Sequence, residues 1–70
     1  MTLAEAEVEN EYLIKGIQSE DDEWTKFLFS LGCYEGEPVT IITRKRNHLV
    51  LSIRDARYHV DVDLAKTILV

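Results

Sequence analysis

The sequence predicts a mainly β domain: a small curled barrel of five short strands, with one α-helix between the first and second. Three observations carry this. Short segments with alternating apolar positions fill the second half of the chain, a single stretch of helical apolar spacing stands between Trp24 and Leu31, and tight turns separate the segments. Short strands with tight connections leave unpaired edges unless the sheet curls on itself, which favours a barrel over an open sheet. Seventy residues bound the chain to one domain over 1–70, and 46% hydrophobic residues place it among folded chains.

The opening TLAEAE reads as one helical turn, with Thr2 as N-cap and Glu5 at capping-box spacing. Tyr12–Ile17 is the first strand, short and apolar, ending near Gly16. Ser19 and Asp22 repeat the capping-box spacing, and Glu20, Asp21, Asp22 and Glu23 crowd the positive end of the helix that follows. Trp24, Phe27, Leu28 and Leu31 fall at i, i+3, i+4 and i+7, one apolar face assigned to the core, with Phe29 off it. Gly32 stops the helix, because a left-handed residue costs glycine least.

Cys33–Pro38 is then a connector in which Gly36 supplies a positive φ, and Pro38 opens a strand where its missing N–H does least harm. Val39–Arg46, His48–Ile53 and Ala56–Val62 form a meander turning at Arg46-Asn47 and Arg54-Asp55. Leu49, Leu51 and Ile53 alternate with Val50, Ser52 and Arg54, and Tyr58, Val60 and Val62 with Arg57, His59 and Asp61, so one face is apolar and the other wet. Asp63–Lys66 makes a single turn and Thr67–Val70 the last strand.

The net charge of −5 is unevenly placed, with eight of the thirteen acids in residues 1–23 against Lys15 alone. Such an acidic balance argues against binding the nucleic-acid backbone, which selects clustered positive charge. One cysteine, Cys33, rules out an internal disulfide and a thiolate zinc site, and it fits a reducing compartment. No apolar run approaches the ~20 residues of a membrane span, and the acidic start is unlike a secretory signal, so a cytoplasmic, non-inserted chain is expected. No serine, histidine and acid stand in a catalytic motif and there is no glycine-rich phosphate loop, so no enzymatic activity is expected.

The segments LGCYEGEPVTIITRK and RYHVDVDLAKTILV, with the Leu31-Gly32-x-x-x-Gly36-x-x-Val39 spacing, resemble the FeoA-type ferrous iron transport proteins over essentially the whole chain. The resemblance implies an SH3-like barrel and a non-enzymatic accessory role, with the cytosolic GTP-binding part of a ferrous iron transporter as partner. The same barrel resembles the C-terminal domain of iron-dependent repressors, whose alternative implication is a divalent-metal-sensing domain. The chain departs from the family at Glu9-Asn10, where a glycine is common and where Asn10 can adopt the left-handed conformation at modest cost. It also has a shorter, more basic loop at Arg44–Asn47.

Arg44, Lys45 and Arg46, with Arg54 and Arg57 on neighbouring turns, are expected to form a basic patch at one end of the barrel, suited to an acidic partner or anionic headgroups, or simply a charged edge. Phe29 and Tyr34, off the main stripe, are candidates for an exposed apolar contact. His59, Asp61 and Asp63 alternate, so on a continuous strand they would share a face and offer Fe²⁺ or Mn²⁺ a weak site, although any solvated strand face alternates in this way. No resident cofactor is expected, and nothing in the sequence fixes the oligomeric state.

Overall fold

The computed structural model describes residues 1–70, with six short strands and two helices around one apolar core. After a 3₁₀ turn at Leu3–Glu5 come β1 (Glu11–Leu13), β2 (Gly16–Ile17), α1 (Asp22–Leu31), β3 (Pro38–Arg44), β4 (His48–Ile53), β5 (Ala56–Asp61), α2 (Val62–Ala65) and β6 (Ile68–Leu69). The strands β1-β3-β4-β5 form one antiparallel sheet in that order, and β2 pairs with β6 in a second. Leu49, Leu51 and Ile53 of β4, Val39 and Ile41 of β3, and Val60 of β5 point into the core, closed from the other side by Leu3 and Ile68.

The single first strand expected at Tyr12–Ile17 is two strands in different sheets. The Ile14 N–H donates to the Glu37 carbonyl (3.0 Å), extending the β1–β3 side. The next N–H, that of Lys15, turns to the Leu69 carbonyl (2.7 Å). The chain thus passes from one sheet to the other between Ile14 and Lys15, which is how a corner is built. The left-handed residue before β1 is Glu9 (φ 69°) and not Asn10, and its N–H is engaged by the Ile41 carbonyl at 2.7 Å. Arg54 (φ 52°) and Asp55 (φ 67°) make the two-residue turn between β4 and β5, which demands positive φ at both positions.

The cap of α1 is Asp21, two residues beyond Ser19. Its carboxylate accepts the N–H groups of Glu23 (2.9 Å) and Trp24 (3.4 Å), while the Ser19 hydroxyl oxygen accepts from the Asp21 N–H and steadies the entry. Asp caps as well as Ser and adds negative charge where the helix is positive.

At the other end Gly32 (φ 101°) is left-handed as predicted. Its N–H reaches the Phe29 carbonyl (3.0 Å) and the Cys33 N–H reaches Leu28 (3.1 Å), the paired bonds of a Schellman motif. The same turn drives Cys33 into the core, and burial pushes its thiol up to about 11. Any stability from that raised value is present below the thiol's ordinary pKa and disappears as pH climbs through about 11. Cys33 is therefore expected to react with a disulfide reagent at pH 8 far more slowly in the native protein than in denaturant. Equal rates in the two states would place it at the surface.

The apolar face of α1 differs most from expectation. Only Leu28 is fully buried and Leu31 packs partly against the core, whereas Trp24 is 37% and Phe27 46% exposed. A helix lying on so small a barrel touches it along one narrow line. Strands, the 3₁₀ turn and β6 already fill the core beneath.

Candidate partner-binding surface

Leu28 faces the barrel, and its two neighbours in sequence project from the flanks of the helix. Phe27 and Phe29 sit two residues apart, hence about 160° apart around the axis. Trp24, one turn before Phe27, shares its flank. On the other flank Phe29, 41% exposed, stacks on Tyr34, 47% exposed, with ring centres 5.4 Å apart and planes 13° from parallel.

Arg54 completes this second cluster. Its guanidinium lies 5.9 Å from the centre of the Tyr34 ring. It also donates to the Glu37 carboxylate through Nε (2.8 Å) and through a second nitrogen (3.3 Å). The hydrogen bonds from Arg54 hold the Glu37 carboxyl below its ordinary value. Three elements meet here: the Schellman end of α1 supplies Phe29, the Tyr34–Glu37 turn supplies Tyr34 and Glu37, and the β4–β5 turn supplies Arg54. Phe29 and Tyr34, expected to form an apolar spot, are thus joined in one ordered cluster by Arg54, which the sequence assigned to the basic patch. Trp24 and Phe27 belong to the neighbouring flank, and the expectation that they were core concealed them.

The predicted basic patch does not assemble. Arg44–Arg46 lie where β3 passes to β4, and Arg54 and Arg57 lie where β4 passes to β5. Six-residue β4 separates the two turns by about 17 to 20 Å, since a strand rises about 3.3 Å per residue. Arg44 is also committed elsewhere, for its two terminal nitrogens donate to the carbonyls of Ala4 and Ala6 and tie the 3₁₀ segment to β3. Lys45 and Arg46 are exposed, with Arg46 beside Asp61 and Asp63 in a shallow hollow that offsets its charge. Arg57 projects from the outer sheet face opposite Ser52.

Arg44→Ala is expected to cost about 1 to 3 kcal/mol, because it strands two carbonyls, one of them part-buried. Lys45→Ala next to it is expected to cost under about 0.5 kcal/mol, as for an ordinary surface change. Urea melts of the two variants make the comparison, and equal midpoints would contradict the clamp.

The proposed metal trio also separates. β5 ends at Asp61 and α2 begins at Val62, so Asp63 leaves the strand face carrying His59 and Asp61 and lies 3.7 Å from Lys66. No three His, Cys, Asp or Glu side chains converge as metal ligands would. The groove on the outer sheet face is lined by Glu11, Glu37, Thr40, Ser52, Arg54 and Asp55 with Pro38 as its one apolar side chain, unlike the mainly apolar clefts that hold small organic ligands. No helix is long and apolar enough to cross a membrane.

The fold defines a class, a small SH3-like domain, and its distinctive outer feature is an exposed cluster of aromatic side chains beside Arg54. The FeoA domain family model matches residues 1–70, and the chain belongs to that family. The fold is similar to that of Stenotrophomonas maltophilia FeoA complexed with zinc, at a TM-score of 0.88 and 22% identity over 99% of this chain and 87% of that one. That protein is described as a procaryotic SH3 domain protein and a candidate ferrous iron transport activating factor. A FeoA-like protein from Clostridium acetobutylicum is similar at 0.86 and 21% identity, covering 99% and 81% of the two chains. A manganese-dependent transcriptional repressor is similar at 0.88 and 14% identity, with 97% of this chain matched to 39% of that one. At such identities these likenesses establish the fold alone. No curated protein matches the sequence at a significant level.

Proposed function

We propose that this domain is a non-enzymatic accessory factor of ferrous iron uptake, acting in the cytoplasm on the GTP-binding part of a ferrous iron transporter. Membership of the FeoA family supports the pathway. The observation that carries the mode of action is α1: a ten-residue helix with one fully buried side chain and three aromatic residues left to solvent. Holding several large aromatics in water gains the isolated domain nothing, and aromatics with arginine are what protein interfaces concentrate at their centres. The acidic first turn at Asp21–Glu23 and the Arg54–Glu37 pair give this surface a polar rim. The domain's influence on the transporter is then exerted through a bound complex.

The test is a backbone-amide NMR titration of the ¹⁵N-labelled domain with a ferrous iron transporter's G domain from the same organism. Shifts are expected at residues 24–37 and at Arg54. Shifts confined to Arg44–Asn47, or none at all, would overturn the assignment of this surface.

A further inference from the structure

The outer face of the β4–β5 hairpin carries a histidine pair that neither the contact surface nor the family membership accounts for. In the register of the hairpin His48 faces Asp61 and Val50 faces His59, so the two histidines are diagonal neighbours on one face. Their ring centres lie 5.7 Å apart with planes inclined by 31°. His59 is exposed and His48 half-buried, and the strands that carry them are core elements anchored by Leu49, Leu51 and Val60. The pair is therefore held on a rigid support and open to solvent.

The geometry points to a two-imidazole site for one divalent transition-metal ion, held by His48 and His59 on the outer face of the hairpin. An ion such as Zn²⁺ binds imidazole nitrogen at about 2.0 to 2.1 Å in a tetrahedral shell, which puts the centres of two ligating rings roughly 5 Å apart. The observed separation of 5.7 Å is close to that spacing, and His59 is on the exposed side of the pair, where its ring has room to turn toward a shared ion. Asp61, directly across from His48, adds negative charge beside the site. No third protein ligand converges, so water fills the remaining positions and the ion is exchangeable. Imidazole selects Zn²⁺, Cu²⁺, Ni²⁺ or Fe²⁺ over Mg²⁺ and Ca²⁺, which take oxygen ligands. This site replaces the one-strand trio of His59, Asp61 and Asp63, since Asp63 lies beyond the strand in α2. It stands on the hairpin geometry and is independent of the transporter reading.

The experiment is a Zn²⁺ titration of the 70-residue chain, followed through the ring ¹H–¹³C signals of both histidines and by calorimetry, with Mg²⁺ as the comparison ion. Saturable 1:1 binding is expected, with both rings shifting together and no response to Mg²⁺. His48→Ala and His59→Ala should each weaken binding at least tenfold, and Asp63→Asn should leave it within twofold. His48→Gln, close in size to the native residue, repeats the test should the alanine variant unfold. A flat titration would overturn the proposal, as would binding that survives His48→Gln or is lost in Asp63→Asn.

Discussion

Replacing Leu28 by alanine is expected to destabilise the domain by about 3 kcal/mol, within the usual range for truncating a fully buried leucine. A chain of this length has a total stability of roughly 4 to 10 kcal/mol, so the loss is a third or more of what holds it folded. With a urea slope near 1 kcal/mol/M for so small a protein, the midpoint should fall by about 3 M. The effect is large because Leu28 alone fixes α1 to the barrel with no exposed surface, between a capped start at Asp21 and a Schellman end at Gly32. Losing its side chain leaves a helix whose remaining apolar groups face mostly outward. Phe27→Ala, one residue away, removes a larger side chain that is already 46% exposed, and should cost about 1 kcal/mol or less. Urea melts of both variants decide the point. A midpoint lowered as far by Phe27→Ala as by Leu28→Ala would mean that the helix is rotated relative to the structure described.

The contrast between these two residues shows what the sequence could convey. Alternation in β4 and β5 was legible because a two-residue turn at Arg54-Asp55 leaves one register, in which Ile53 faces Ala56 and each outward step follows. The helix stop was legible because Gly32 is needed for its φ of 101°. The helical stripe was misleading, since spacing reports which residues share a face and not whether anything covers that face. Trp24 and Phe27 satisfy the pattern and still meet solvent. Arg44 looked like a free surface charge because its acceptors, the carbonyls of Ala4 and Ala6, lie some forty residues back and belong to backbone that no side-chain pattern marks. The arginines of the two turns were separated by the length of the strand between them, which the sequence does contain. The pairing of His48 with His59 was likewise implicit in the Arg54-Asp55 turn, for the same register that sets Ile53 against Ala56 sets Val50 against His59.

Within the contact surface, the largest loss of partner affinity is expected from Phe29→Ala, at about 30-fold, the 2 kcal/mol scale of an aromatic anchor at an interface centre. The reason is that the side chain is already ordered. Phe29 is held by its stack on Tyr34, Tyr34 sits beside Arg54, and Arg54 is fixed by two hydrogen bonds to Glu37, so little side-chain freedom remains to be lost on binding. Arg54→Lys keeps the charge but cannot make the same fork to Glu37 or lie flat against a ring, and should itself cost about tenfold. Arg46→Ala, at the far turn, should change affinity less than twofold, though it removes a full charge. Calorimetric titration of the three variants into the transporter's G domain, each first checked for an unchanged urea midpoint, separates the two ends of the barrel. A large effect at Arg46 with none at Phe29 would move the interface to the β3–β4 turn and make electrostatic attraction its main determinant.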